Sequence, residues 1–278
     1  MMDISERIAS IPELSGVKHF ELLNRGVVNE TWQLFTDAGS FVLRQDTPMV
    51  KTLGLDRHSE IDVLEIAAKS GLGPNVIWAD PDAGLLLTEY IEGVAWSETD
   101  IDGHQNLIRI AKRLNYLHRI PTDLQTIKAV CFSNYAIRYA QQLATSEAEQ
   151  LADEIIVLDE EWCSDSSRHV LCHNDLVCSN IIDVQPGREL IFIDWEYAGL
   201  GEPYFDLAVF LQHHSLAATA TKVFLEAYGM SLDGQRLEGC LAIYDRLLAL
   251  WLMLICADPN ARQDYQMALD AVAFRLNH

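Results

Sequence analysis

The sequence predicts an α+β protein in two unequal lobes. A small antiparallel sheet with one helix is expected over residues 1–91, and a larger, mostly helical part over 92–278. Three observations carry this. Short apolar runs separated by turn residues fill roughly the first third of the chain, which is strand patterning. From residue 93 onward apolar residues recur mainly at helical spacing. One strand-rich stretch, residues 170–201, interrupts the helical part and places polar and acidic groups at the ends of apolar runs. There is no internal repeat, linker or low-complexity tract, so one bilobal unit is the economical reading.

Taken in order, residues 3–11 suit a short helix with Asp3 or Ser5 near its cap, ended by Pro12. Strands are expected at 20–23 and 31–35, flanking the loop Asn24-Arg25-Gly26-Val27-Val28-Asn29-Glu30. A third follows at 40–44, after a turn at 37–39. Residues 56–70 read as a helix, with Ile61, Leu64, Ile66, Ala67 and Ala68 as its apolar face and Gly71 as its stop. Strands at 75–78 and 85–90 make a hairpin across 82–84. Residues 106–120 are amphipathic, with Leu107, Ile110, Ala111, Leu114 and Leu117 on one face. Residues 133–158 give one or two helices, interrupted near 145–146. Asp206 is expected to open a helix, and 219–228 and 237–256 are strongly helical.

Composition limits the partners. The formal charge of −21 argues against a nucleic-acid partner, which needs clustered Lys and Arg, and leans toward a cationic ligand. Six cysteines form no CxxC pair, so structural zinc of the usual kind is not expected, and the thiols read as reduced. The first sixteen residues lack a signal pattern, and the apolar stretch 247–257 is too short to span a membrane. A cytoplasmic protein without a membrane partner is the expectation.

The stretch 170–201, VLCHNDLVCSNIIDVQPGRELIFIDWEYAGLG, carries the chemistry. Residues 170–172, 180–182 and 190–193 read as short buried strands, with Gln185-Pro186-Gly187 as the turn between the last two. Asp175 and Asn180 have the spacing of the kinase catalytic loop, and Asp194 ends the following strand, where the metal-binding Asp of kinases stands. Phosphoryl transfer needs these types. One carboxylate accepts the proton of the attacking hydroxyl; a second carboxylate and an amide oxygen hold magnesium, which prefers hard oxygen ligands. Asp175 is the candidate base, and Asn180 and Asp194 are the candidate ligands. Asp175 needs position more than a raised pKa, because the proton leaves late in a loose transition state.

HNDLVCSNII followed by LIFIDWEYAGLGEPYFDLAVF resembles the choline/ethanolamine kinase and thiamine kinase group of the aminoglycoside-phosphotransferase-like kinases. The resemblance implies a bilobal protein-kinase-like fold, with ATP and Mg2+ as cofactors. Gly26 and Asn29 then lie in the loop over the phosphates, where the group's first glycine is replaced by Arg25. Arg44 stands where kinases place the phosphate-binding Lys and remains a charged, bidentate donor. Glu60 on the next helix faces it. Residues 89–93 become the hinge, with Glu89 and Ile91 beside the adenine. His173 is implied as a scaffold for the catalytic loop, and Asp206 steadies that loop. Glu196 has two open readings: assisting at the metal, or pairing with substrate charge. Tyr197 and Trp251 are aromatic faces for a cationic alcohol; the choline kinases carry a second tryptophan where this chain has Leu248. The partner expected is therefore a small cationic alcohol. An aminoglycoside kinase and a nucleotide-binding pseudokinase are the alternatives, the latter favoured only by the single glycine at 26.

Overall fold

Strands β1 (His19–Arg25), β2 (Asn29–Thr36) and β3 (Gly39–Asp46) form an antiparallel meander in the first lobe, after the short helix α1 (Ile4–Ser10). Helices α2 (Met49–Leu53) and α3 (Arg57–Lys69) follow, then β4 (Val76–Asp80) and β5 (Leu85–Glu89). The sheet order is β1-β2-β3-β5-β4. The computed structural model describes residues 4–14, 16–101, 103–121, 127–185, 189–229, 233–257 and 263–277. Asp3 and the turn residues Pro186 and Gly187 lie outside them.

Period-two alternation separates the faces of this sheet. Trp32, Leu34, Leu43 and Leu87 pack under Ile8, Ile11 and Leu14 of the N-terminal segment. Leu86, on the opposite face, joins the main core with Val63, Leu64 and Ala67 of α3. Asp56 caps α3, its carboxylate accepting the Ser59 N–H at 3.2 Å. In the register of the sheet, Arg44 pairs with Thr31 and Leu86.

After β5 come β6 (Val94–Ala95), α4 (Glu98–Ile101) and α5 (His104–Leu117). Helices α6 (Phe132–Leu143) and α7 (Ser146–Trp162) follow. The expected break between them is real: Ala144 has φ +52°, and Thr145 caps α7 through the Ala148 N–H at 3.2 Å. Next come β7 (Val170–Cys172), β8 (Ile181–Gln185), β9 (Glu189–Phe192) and β10 (Gly199–Gly201). Strands β8 and β9 make the expected hairpin, to which β6 adds; β7 pairs with β10, which sequence patterning did not indicate.

The chain ends with α8 (Pro203–His213), α9 (Ala218–Tyr228), α10 (Gly234–Cys256) and α11 (Gln263–Leu276). Among the described residues α10 is the one helix long and apolar enough to cross a membrane by length and composition. Its apolar residues are packed against α6, α7, α8 and α11, as expected of a central core helix. One correction concerns α8. The helix begins at Pro203 and its cap is Glu202, so Asp206 does not open it. Asp206 sits in the first turn with no exposed surface.

Candidate active site

The loop between β7 and β8 holds Asp175 and Asn180, and the segment after β9 holds Asp194. Two residues there have left-handed backbone conformations, Asn174 and Asp194, each at φ +64°. A non-glycine residue pays for such a conformation, so surrounding contacts must hold it. For Asn174 they are visible. Its N–H donates to Asp206 Oδ1 at 2.6 Å, and its Nδ2 donates to the Tyr197 carbonyl at 3.0 Å.

Asp206 accepts from three groups. Besides Asn174, the His173 N–H donates to Oδ2 at 2.9 Å and His118 Nε2 lies 2.9 Å from the same oxygen. Burial opposes its charge, but His118, His173 and these bonds outweigh burial and hold the carboxyl below its usual range. His173 is also buried. Its Nδ1 accepts the Asp175 N–H at 3.3 Å, which leaves Nε2–H to donate to the Ile193 carbonyl at 3.0 Å. Burial lowers the pKa of His173, and the neutral tautomer satisfies both contacts.

Asn180 Nδ2 donates to the Asp175 carbonyl at 2.9 Å and to Asp175 Oδ2 at 3.2 Å. Its amide oxygen is thereby the atom left for a metal. Burial and then the Asp194 charge push the Asp175 carboxyl well above its usual range, against the pull of the Asn180 bond. The sequence asked only for position; the site adds basicity, which makes an ionised Asp175 a better proton acceptor. Asp194 is raised by burial as well, against the pull of Arg44. Its Oδ1 is buried and has no hydrogen-bond partner, while Arg44 Nη1 stands 3.9 Å away. A buried carboxylate oxygen without a donor, beside a free amide oxygen, is a donor set suited to magnesium.

Arg44 and Glu60 meet, as the resemblance implied. Nη2 and Oε2 are 2.7 Å apart, and Nη1 and Oε1 complete the fork. Sequence reasoning missed Arg57, one turn before Glu60. Its Nε donates to Asp46 Oδ2 at 3.0 Å, and its Nη1 to Glu60 Oε2 at 2.8 Å and Glu196 Oε2 at 3.1 Å. Asn29 Nδ2 reaches the same Glu196 oxygen at 3.4 Å. Glu196 is thus held by the first lobe, and Arg57 ties the two lobes together. Replacing Arg57 with Lys keeps a charge but cannot bridge three carboxylates. The expected loss is about 1–3 kcal/mol of stability, read by urea unfolding; an unchanged midpoint would remove Arg57 from the inter-lobe network.

A cavity of about 660 Å³ opens in front of these groups. Gly26, Asn29, Asp175, Asn180, Asp194 and Glu196 line it, and so do Tyr197 and Trp251. Gly26 is close-packed, since a Cβ there would lie 3.1 Å from the Asn29 carbonyl oxygen. The sequence did not indicate Tyr135, Tyr139, Tyr244 and Tyr265, which also line the wall. The Tyr135 and Tyr197 rings meet edge-on at 6.0 Å, as do Trp251 and Tyr265 at 5.9 Å. Leu248 lines the cavity beside them. Arg44, Glu60, Glu89 and Ile91 do not line it. The Glu89 side chain instead accepts the Asn75 N–H and Nδ2, both at 3.0 Å, closing the end of the β4–β5 hairpin.

A five-stranded antiparallel sheet joined to a mostly helical part, with Asp175, Asn180 and Asp194 lining one cavity, is the architecture of the protein-kinase-like class. The relatives agree. A family model described as choline/ethanolamine kinase matches residues 22–229. Protein LicA of Haemophilus influenzae is 28% identical over 208 residues, spanning 73% of this chain and 60% of that protein. The crystal structure of the choline kinase LicA from Streptococcus pneumoniae has a TM-score of 0.79 at 23% identity, covering 97% of each chain. Spectinomycin phosphotransferase, in complex with ADP and spectinomycin, has a TM-score of 0.65 at 14% identity, covering 93% of this chain and 88% of that one. These likenesses establish the bilobal kinase-like fold. The chain belongs to the choline/ethanolamine kinase family.

Proposed function

We propose that the protein transfers the γ-phosphate of ATP to the hydroxyl of a small cationic alcohol, with choline the best acceptor. The observation that carries this reading is one cavity lined both by Asp175, Asn180 and Asp194 and by six aromatic side chains, Tyr135, Tyr139, Tyr197, Tyr244, Trp251 and Tyr265. A quaternary ammonium has no N–H to donate, so ring faces and nearby carboxylates are its natural partners. The family assignment and the choline kinase structure that shares the fold support the same class.

Within this reading each group has one task. Asp175 Oδ2 is engaged by Asn180, so Oδ1 orients the substrate hydroxyl and takes its proton as the bond to phosphorus forms. His173 and Asp206 hold the loop that presents Asp175. Arg44, kept charged and aligned by Glu60, stands 3.9 Å from Asp194 Oδ1 and would lend its charge to the phosphates held there. Burial works against that charge, and Glu60 more than restores it, so Arg44 stays protonated throughout the working pH range. Asn180 and Asp194 would hold magnesium, which neutralises phosphate charge when bound. Residues 26–29 line the cavity and would cover the phosphates.

The test is ADP release with ATP and magnesium, using choline, ethanolamine, thiamine and kanamycin one at a time. Turnover is expected with choline first. Turnover with kanamycin alone would move the protein to the antibiotic-modifying branch, and nucleotide binding without turnover of any acceptor would favour the pseudokinase. The aromatic wall gives a second expectation. Trp251→Leu should raise the KM for choline about 2- to 30-fold, the range of one cation–π contact, with little change in kcat. An unchanged KM would place the cation elsewhere in the cavity.

A further inference from the structure

The C-terminal end of α8 carries two histidines to which no part in phosphoryl transfer has been given, and one of them, His213, lines the cavity. His213 and His214 meet Glu98 of α4, and the three side chains each offer a ligand atom within 4.8 Å of the others. Glu98 and His213 are exposed, whereas the His214 side chain has no exposed surface. Glu98 Oε2 lies 3.3 Å from His214 Nδ1. His214 Nε2 is buried and has no hydrogen-bond partner.

We infer that Glu98, His213 and His214 form a binding site for one zinc ion, separate from the magnesium position at Asp194. The donor set is two imidazoles and one carboxylate, which leaves a fourth position for water in tetrahedral zinc. The spacing of one pair is compatible with a shared ion. Ligand atoms about 2.0–2.1 Å from zinc at tetrahedral angles stand about 3.3 Å apart, and Glu98 Oε2 and His214 Nδ1 have this separation.

Neighbouring groups hold two of the ligands as metal sites require. Tyr244 Oη lies 3.1 Å from His213 Nδ1, leaving Nε2 for the ion. Cys178 Sγ–H donates to Glu98 Oε1 at 3.3 Å, leaving Oε2. The other close group of metal-ligating types, His118, Cys172 and Asp206, is wholly buried, and its carboxylate is already taken up by three donors. Imidazole ligands also set the Glu98 site apart from the oxygen-only set at Asp194. An ion at Glu98 joins α4 to the end of α8 and, through Cys178, to the turn that ends on Asn180.

Titration of zinc chloride into the chelator-treated full chain tests this by calorimetry, in the parent and in Glu98→Gln, His214→Asn and Asp194→Asn variants. One equivalent is expected in the parent and in Asp194→Asn, and at least tenfold weaker binding in Glu98→Gln and His214→Asn. Cobalt in place of zinc should give the intense visible bands of a four-coordinate ion in the parent, absent from Glu98→Gln. Glu98 is exposed, so that variant decides the matter even where His214→Asn does not fold. Equal zinc affinity in parent and Glu98→Gln, no zinc binding by the parent, or loss of binding in Asp194→Asn would each overturn the inference.

Discussion

Asp175→Asn is expected to lower kcat about 10²–10⁴-fold, the usual contribution of a positioned proton acceptor, while nucleotide binding persists. The substitution keeps size and shape but replaces an oxygen that accepts with a group that does not. Because Asp175 Oδ2 is bonded to Asn180 Nδ2, the amide will turn its oxygen to Asn180 and its NH2 to the substrate hydroxyl. That reverses the polarity at the one atom where a proton must be received. The loop should stay in place, since the Asp175 N–H still donates to His173. The measurement is ADP release at saturating choline and ATP, with nucleotide affinity measured separately. A kcat within about tenfold of the parent would mean that Asp175 only positions, and that the proton leaves to solvent. Loss of nucleotide binding as well would mean that the substitution disturbs the fold, and Asp175→Glu would then separate placement from chemistry.

What the sequence made legible about this site is what lies close together in the chain. Asp175, Asn180 and Asp194 fall within one strand–turn–strand stretch, so their spacing alone declared them. Arg44 and Glu60 were legible through the resemblance, because kinases set a helix Glu against the basic residue of the strand. Arg57 was not, although it lies at i−3 from Glu60 on the same helix face. A basic residue in the first turn of a helix reads as solvated; only tertiary packing buries it among Asp46, Glu60 and Glu196. The aromatic wall was half legible for the same reason. Tyr197 and Trp251 were indicated, but Tyr135, Tyr244 and Tyr265 come from α6, α10 and α11, and nothing local announces that three helices converge. Strand β10 was hidden by its composition, because Gly-Leu-Gly reads as a turn. Its glycine instead permits a close approach: a Cβ on Gly199 would lie 2.9 Å from the Lys128 carbonyl oxygen. The left-handed conformations of Asn174 and Asp194 had no signal beyond Asn and Asp being the types that tolerate them.

Asp206→Ala is expected to cost about 3–5 kcal/mol of stability, the range for removing one partner of a buried, charged network, and to lower kcat in whatever remains folded. Asp206 lies between two kinds of structure. Its helix, α8, is core, with Leu207, Ala208, Val209 and Phe210 entirely buried. Its carboxylate, however, serves the catalytic loop, accepting both backbone N–H groups of His173 and Asn174 and facing His118. Alanine leaves all three donors buried without an acceptor, each a desolvation cost. It also frees Asn174 from one of the two bonds that hold its left-handed backbone, a conformation that costs roughly 1–2 kcal/mol per residue. The loop can then relax, and Asp175 moves with it, because Asn174 precedes it directly. Asn at position 206 is the milder variant: one oxygen still accepts, but its NH2 faces an N–H. The pH dependence has a definite sign. Because Asp206 is held below the usual carboxylate range, its contribution is fully present above the unfolded pKa and is lost as pH falls through the lower folded value. The acid unfolding limb of Asp206→Asn should therefore be shallower than that of the parent. Urea unfolding near neutral pH decides the stability claim, and kcat of Asp206→Asn, below its unfolding temperature, decides the positioning claim. Stability within about 1 kcal/mol of the parent, together with parental kcat, would leave His173 and its bond to the Ile193 carbonyl as the true support of the loop.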